Sequence, residues 1–215
     1  MGILSRELGV LFIQTPHTGS TAIGKLLREH LGGVRIPAEP PASGGGDGTV
    51  KHATLEELMT RGQITAEDRS GLVVAAGVRN PWDHVVTAFM RAQSGQGKWK
   101  GQRTAPRELD FEAWVRARYA PSLLKRVRGQ MPHRPKDYLS GVDQIIRYEH
   151  LQEDFDELMR RVDAPPVEVP RVNVTTAKEE AAQHWSTYFS PASRAIVADA
   201  YADWIERFSY RFEGT

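Results

Sequence analysis

Three places in the chain carry residue types suited to holding an anion or moving a proton. The first is TPHTGST, residues 15–21, lying between the apolar run GVLFIQ (9–14) and an apolar stripe at helical spacing, Ile23, Leu26, Leu27 and Leu31. The first turn of a helix has N–H groups without intrahelical partners and the positive end of the macrodipole, so an anion docks there readily. Gly19 lets the backbone approach closely, Thr18, Ser20 and Thr21 add hydroxyl donors, and His17 adds an imidazole N–H. The same residues also suit an ordinary capped helix, with Thr18 or Ser20 as N-cap. The second place is GVRNPWDHVVTAF, residues 77–89: a strand delivers Arg79, Asn80-Pro81 turns the chain, and Thr87 follows eight residues after Arg79 on a helix. Arg79 and Thr87 together suit one phosphate, the guanidinium giving two parallel donors; an ion pair of Arg79 with Asp83 is the plainer alternative. The third is His52 in VKHATLEEL, at a loop mouth after a short strand and before a capped helix. A neutral imidazole suits general-base work, and a surface position is the alternative. Glu149, just after DQIIRY, is a second base or a hydrogen-bonding brace on the acceptor side.

Several chemistries are set aside by the same reading. The chain has no cysteine, which excludes disulfides, thiolate nucleophiles and Cys-based zinc sites. Histidines at metal-ligand spacing are absent, so no metal site is expected. Gly19, Gly24 and Lys25 approach the pattern G-x-x-x-x-G-K-[ST], but Leu26 stands where magnesium needs a hydroxyl. Gly24 and Lys25 also fall about a turn inside the helix, and LVVAAGV (72–78) ends in Arg79-Asn80 with no Asp for a metal. These departures weaken a nucleoside-triphosphatase reading.

The elements that must position these residues alternate. Strands are predicted at 9–14, 72–78 and 143–148, the second a continuous apolar run of the kind covered on both faces. Helices are predicted from 18 to 31, at 54–62 with Thr54 and Glu57 as a capping box, at 82–92, about 110–118, 121–130, 151–162, and 190–207 with Ser190 as N-cap and Pro191 at the first position. The Gly/Pro-rich stretch 32–48 reads as an insertion or connector, 94–107 as a flexible loop and 163–183 as loop. Alternating strands and helices argue for an α/β domain with a mainly parallel sheet. Right-handed crossovers then bring the turns after 9–14 and 72–78 together at the carboxyl edge, where such sheets bind ligands. The stripe Tyr201, Trp204, Ile205 and Phe208 reads as core, and His84 and His133 as helix surface and loop.

In this order the motifs resemble those of the sulfotransferases that use 3′-phosphoadenosine-5′-phosphosulfate (PAPS), nearer the carbohydrate-type branch. LFIQTPHTGST is similar to that family's 5′-phosphosulfate loop, and VRNPWDHVVTAF to its 3′-phosphate motif. DQIIRYEHLQEDFDEL resembles its strand-and-helix segment, and YFSPASRAIVADAYADWIERFSYRF its terminal helix. The resemblance covers most of the chain. It implies one domain over 1–215 with a three-layer α/β fold like that of P-loop NTPases, and with mobile segments at 32–50 and 94–107. It further implies Pro16, His17, Thr18, Gly19, Ser20 and Thr21 at the 5′-phosphosulfate and Arg79 and Thr87 at the 3′-phosphate. Arg171 and Lys178 are implied near the nucleotide, and His52 as base with His17 supporting the leaving oxygen. Two positions depart from the family: His17 stands where it most often has Lys, and Thr87 where it usually has Ser. The implied product is 3′-phosphoadenosine-5′-phosphate (PAP). Lys98 and Trp99 in the basic loop are candidates for the acceptor, a small molecule or glycan. An ATP-dependent kinase and a non-catalytic PAPS- or PAP-binding relative are the alternatives.

Composition agrees with an enzyme of one core. The chain has 215 residues, 40% of them hydrophobic, enough for a full core. Net charge is +1, yet residues 91–136 hold twelve Lys/Arg against Glu108, Asp110 and Glu112, a balance of +9 that suits either an anionic ligand or a solvated basic face. No apolar run approaches eighteen residues, and MGILSREL runs straight into a strand without a signal-peptide pattern. A cytoplasmic protein with neither membrane nor nucleic-acid partner is expected.

Overall fold

Val10–Ile13 (β2) is buried at all four residues and Val73–Val78 (β4) at five of six, as a strand covered on both faces must be. The computed structural model describes residues 1–37, 52–93, 109–120, 136–170 and 183–213. They gather into two units, one from Met1–Arg79 with Asp137–Asn173, the other from Asn80–Lys136 with Val174–Thr215.

The first unit is α/β. Its five-stranded open sheet adds Gly2–Ser5 (β1), Val34–Ile36 (β3) and Gln144–Arg147 (β5) in the order β3-β1-β2-β4-β5. β2 and β5 flank β4 in parallel, whereas β1 runs antiparallel to β2 and β3. Ser20–His30 (α1) and Leu151–Arg161 (α6) cover one face. Ile23, Leu26 and Leu27 of α1 and Phe155, Leu158 and Met159 of α6 close over Ile3, Val10, Phe12, Ala75 and Ile146. Fully burying each of these larger side chains is worth about 1.5–3 kcal/mol before entropy is counted. On the opposite face Leu11 lies beside Leu58 of Leu55–Thr60 (α2), so closely over Gly2 that a Cβ there would sit 3.1 and 3.2 Å from the two leucines. Arg69, in Ala66–Ser70 (α3), reaches Asp143 at 2.8 Å, and Asp143 in turn accepts the Val74 N–H at 2.8 Å, pinning the entry of β5 to β4.

The second unit is helical: Pro81–Gln93 (α4), Phe111–Tyr119 (α5), a 3₁₀ turn at Trp185–Tyr188, Pro191–Ala200 (α7) and Ala202–Phe208 (α8). Edge-on aromatic contacts fill it: Phe111 meets Phe89 at 5.2 Å and Phe189 at 4.8 Å, and Phe212 meets Trp82 at 5.5 Å and Trp185 at 5.3 Å. Asn80 Oδ1 accepts the Trp82 N–H at 3.1 Å, so Asn80-Pro81 starts α4 as well as ending the strand. Tyr201 and Trp204 are buried as expected, and Ile205 and Phe208 half-buried.

Some expectations need correction. Residues 34–36, read as connector, pair with β1 as a strand. The single helix expected over 190–207 breaks at Tyr201 (φ −113°, ψ 22°), whose ring packs near His84 and Tyr119. His84, expected on a helix surface, is buried at 8% exposure. α3 was not anticipated, because its polar residues show no apolar period. The segment 94–107, the helix expected at 121–130, His133, the strand expected before His52 and the part of 32–50 beyond Pro37 lie outside the described residues. No helix among the described residues is long and apolar enough to cross a membrane.

Candidate anion site at the carboxyl edge of the sheet

Strand order decides what meets here. β2 and β4 are parallel with Ile13 opposite Ala76, and β4 and β5 with Val78 opposite Arg147. The chain therefore leaves all three strands at one edge, within the first unit. After β2 come Gln14 to Gly19, after β4 comes Arg79, and after β5 a 3₁₀ turn, Tyr148–His150.

The loop after β2 holds two left-handed residues, His17 at φ 60° and Gly19 at φ 73°. Glycine takes that region at no steric cost, while for histidine it costs about 1–2 kcal/mol. Arg79 braces the strained residue. Its Nη1 donates to the His17 carbonyl at 3.0 Å, and its guanidinium lies 3.8 Å from the centre of the Tyr148 ring. Arg79 is only 4% exposed, so the cation is held rather than waving in solvent. Thr18, also buried, stands over Gly77, where any side chain would run into it.

α1 starts with Gly19 as N-cap, and no side chain among the described residues caps it. Thr18 Oγ1 donates to the Thr15 carbonyl at 3.0 Å and Ser20 Oγ donates to the same oxygen at 2.7 Å. The alternative of a helix capped by Thr18 or Ser20 is therefore not formed. A carbonyl only accepts, so both hydroxyl protons point back into the loop. An anion at this turn would first meet backbone N–H groups and the exposed Thr21, and Thr18 and Ser20 would have to swing their protons round. Pro16 sits half-buried in the loop. Lys25 points outward to Glu29, 3.8 Å away, and the space beside Gly24 is taken by the Gln14 carboxamide. Gly24 and Lys25 thus serve packing and surface charge, not a triphosphate clamp.

His52 lies against the same loop, with Nδ1 2.8 Å from the Gln14 carbonyl. Because that oxygen can only accept, Nδ1 carries the proton, and the neutral form of such a ring has its lone pair on Nε2, the tautomer a general base needs. Glu149 is half-buried in the turn after β5. That turn is anchored by Asp154, which accepts the Arg147 N–H at 2.7 Å, Nε at 2.9 Å and Nη2 at 2.7 Å. Burial pushes the Asp154 carboxyl up, but the Arg147 hydrogen bonds and charge together outweigh it and hold it below the usual carboxylate range.

Among the candidates, His17, Thr18, Gly19, Ser20, Thr21, His52, Arg79 and Glu149 gather at this edge. Thr87 belongs to the second unit, on α4, where it is 3% exposed and donates to the Asp83 carbonyl at 3.0 Å. Lys98, Trp99, Arg171 and Lys178 lie outside the described residues. Sequence reasoning missed Tyr148 and Gln14. Tyr148 directly follows β5 as Arg79 follows β4, and that matching position was the available signal. Compared with models of known protein families, with curated proteins and with solved structures, the chain matches none.

Proposed function

We propose that this chain is a cytoplasmic, PAPS-dependent sulfotransferase acting on a hydroxyl of a small molecule or glycan, built on a P-loop-like three-layer α/β core. One observation carries the reading: the Arg79 guanidinium donates to the His17 carbonyl, so the two motifs that resemble the phosphate-binding turns of that family meet at one edge. Helix N-terminal N–H groups and a fixed guanidinium fit a nucleotide that carries anionic groups at both its 5′ and 3′ positions, without a metal. Bound PAPS supplies an activated sulfuryl group and departs as PAP. In this proposal the first turn of α1, Thr21 and the His17 ring hold charge on the 5′ side, and Arg79 takes the 3′-phosphate. His52 Nε2 receives the acceptor's hydroxyl proton. Glu149, with Lys98, Trp99, Arg171 and Lys178, remains a candidate contact. His17 in place of the family's usual Lys favours a second reading, a relative that binds the nucleotide without turning it over.

Thermal shift in metal-free buffer tests the donor. PAP is expected to raise the melting temperature more than AMP; stabilisation by ATP–magnesium and not by PAP would replace this reading with a kinase. Sulfate transfer over an acceptor panel separates enzyme from binder. His52→Ala is expected to keep the PAP shift and lower transfer by about 10²–10⁴-fold, and full activity would remove His52 as base.

A further inference from the structure

Two rules of local structure are broken side by side beneath the first turn of α1. Gly24 lies inside an eleven-residue helix, where glycine is a poor helix former. Gln14 is 7% exposed, and its Oε1 has no hydrogen-bond partner among the described residues. The two are one feature. A Cβ on Gly24 would lie 2.6 Å from Gln14 Nε2 and 3.4 Å from its Cδ, so the carboxamide occupies the notch that glycine leaves. From that notch Nε2 donates to the Ser20 carbonyl at 3.3 Å, in the first helical turn. On its other side the Gln14 main-chain carbonyl accepts from His52 Nδ1 at 2.8 Å.

We infer that Gln14 is a positioning residue that sets the spacing between the His52 imidazole and the anion-facing turn of α1. A leucine would fill much the same space without a buried, unsatisfied acceptor, and an alanine at 24 would favour the helix. By local preference alone both are the better residues, although a Cβ at 24 must first push the carboxamide out of its notch. Departures from local preference of this kind gather where geometry serves a site. The inference rests on reading this edge as a donor site with His52 as its base.

Gln14→Leu removes the Ser20 bond, and Gly24→Ala displaces the carboxamide while leaving Gln14 in place. For each, three quantities are compared with the parent protein: melting temperature, PAP affinity by calorimetry, and the imidazole ¹⁵N signals of His52 without ligand. Melting temperature is expected to hold or rise for Gln14→Leu and to fall for Gly24→Ala, PAP affinity to fall between about 10- and 100-fold in both, and the His52 signals to move. Binding and ring signals that stay put would overturn the inference. So would a loss of stability in Gln14→Leu that runs parallel to its loss of binding, since Gln14 would then be packing alone. If the parent protein does not bind PAP, the sulfotransferase reading fails and the ring signals decide: moved signals support Gln14 as the spacer, unmoved ones overturn it.

Discussion

Two helices of the same unit begin in opposite ways. At α2 the Thr54 Oγ1 accepts the Glu57 N–H at 3.1 Å, and Glu57 Oε2 accepts the Thr54 N–H at 3.0 Å. α3 repeats the device with Thr65 and Asp68. α1 has hydroxyl residues in reach of the same arrangement, yet Thr18 and Ser20 bond backwards to Thr15 and a left-handed Gly19 takes the cap position. The difference lies in what precedes each helix. Thr54 is extended (φ −81°, ψ 168°), which aims its hydroxyl at the third residue of the helix. The loop before α1 is folded by two left-handed residues, one clamped by Arg79. A start that closes on itself is structural; one held open at the cost of backbone strain is suited to a ligand.

The largest break in that contrast is expected from Arg79→Ala. It removes the clamp on His17 and the assigned phosphate donor together, and PAP affinity should drop by about 100-fold or more in calorimetry. Undiminished binding would sink the phosphate assignment. Gly77→Ala drives a methyl into Thr18 from below and should cost about 1–3 kcal/mol in urea unfolding, with weaker PAP binding; an unchanged midpoint would show that Thr18 does not bear on β4. Asp154→Asn tests the turn that presents Tyr148 and should cost about 1.5–3 kcal/mol at pH 7, the worth of hydrogen bonds to a charged group. Its pH dependence has a definite sign. The folded pKa lies below the usual value, so the contribution is complete above the ordinary carboxylate pKa of about 4 and disappears as pH falls through the lower folded value. The gap between parent and variant should therefore close in acid, and a gap that stays constant would contradict the Arg147 pairing. Thr54→Ala sharpens the other side: about 1 kcal/mol of stability lost and PAP affinity untouched.

The legible parts of the sequence were those where one local pattern dominates. The apolar run of β4, the capping box at Thr54 and the Ser190-Pro191 helix start each declare themselves within a few residues. β1 and β3 did not, because four and three residues carry too little period, and their pairing is settled by neighbours distant in sequence. The break at Tyr201 was hidden because the apolar spacing continues through it. The residue types of the edge site were readable, since Gly19 and Arg79 sit where a strand gives way to a helix and His52 stands just before a capped helix. The hydroxyl directions of Thr18 and Ser20, the Tyr148 stack and the Gln14 notch were not, since each depends on a partner chosen by the tertiary fold.

β3 has a consequence of its own. Among the described residues it forms a lateral border of the sheet, is three residues long, exposes Val34 at 56% and is followed at once by Pro37. Proline has no N–H to offer a neighbouring strand, so a second molecule approaching that border finds only a short ladder to extend. Self-association through sheet extension is discouraged there by length and by one imino acid, at no cost to the carboxyl edge.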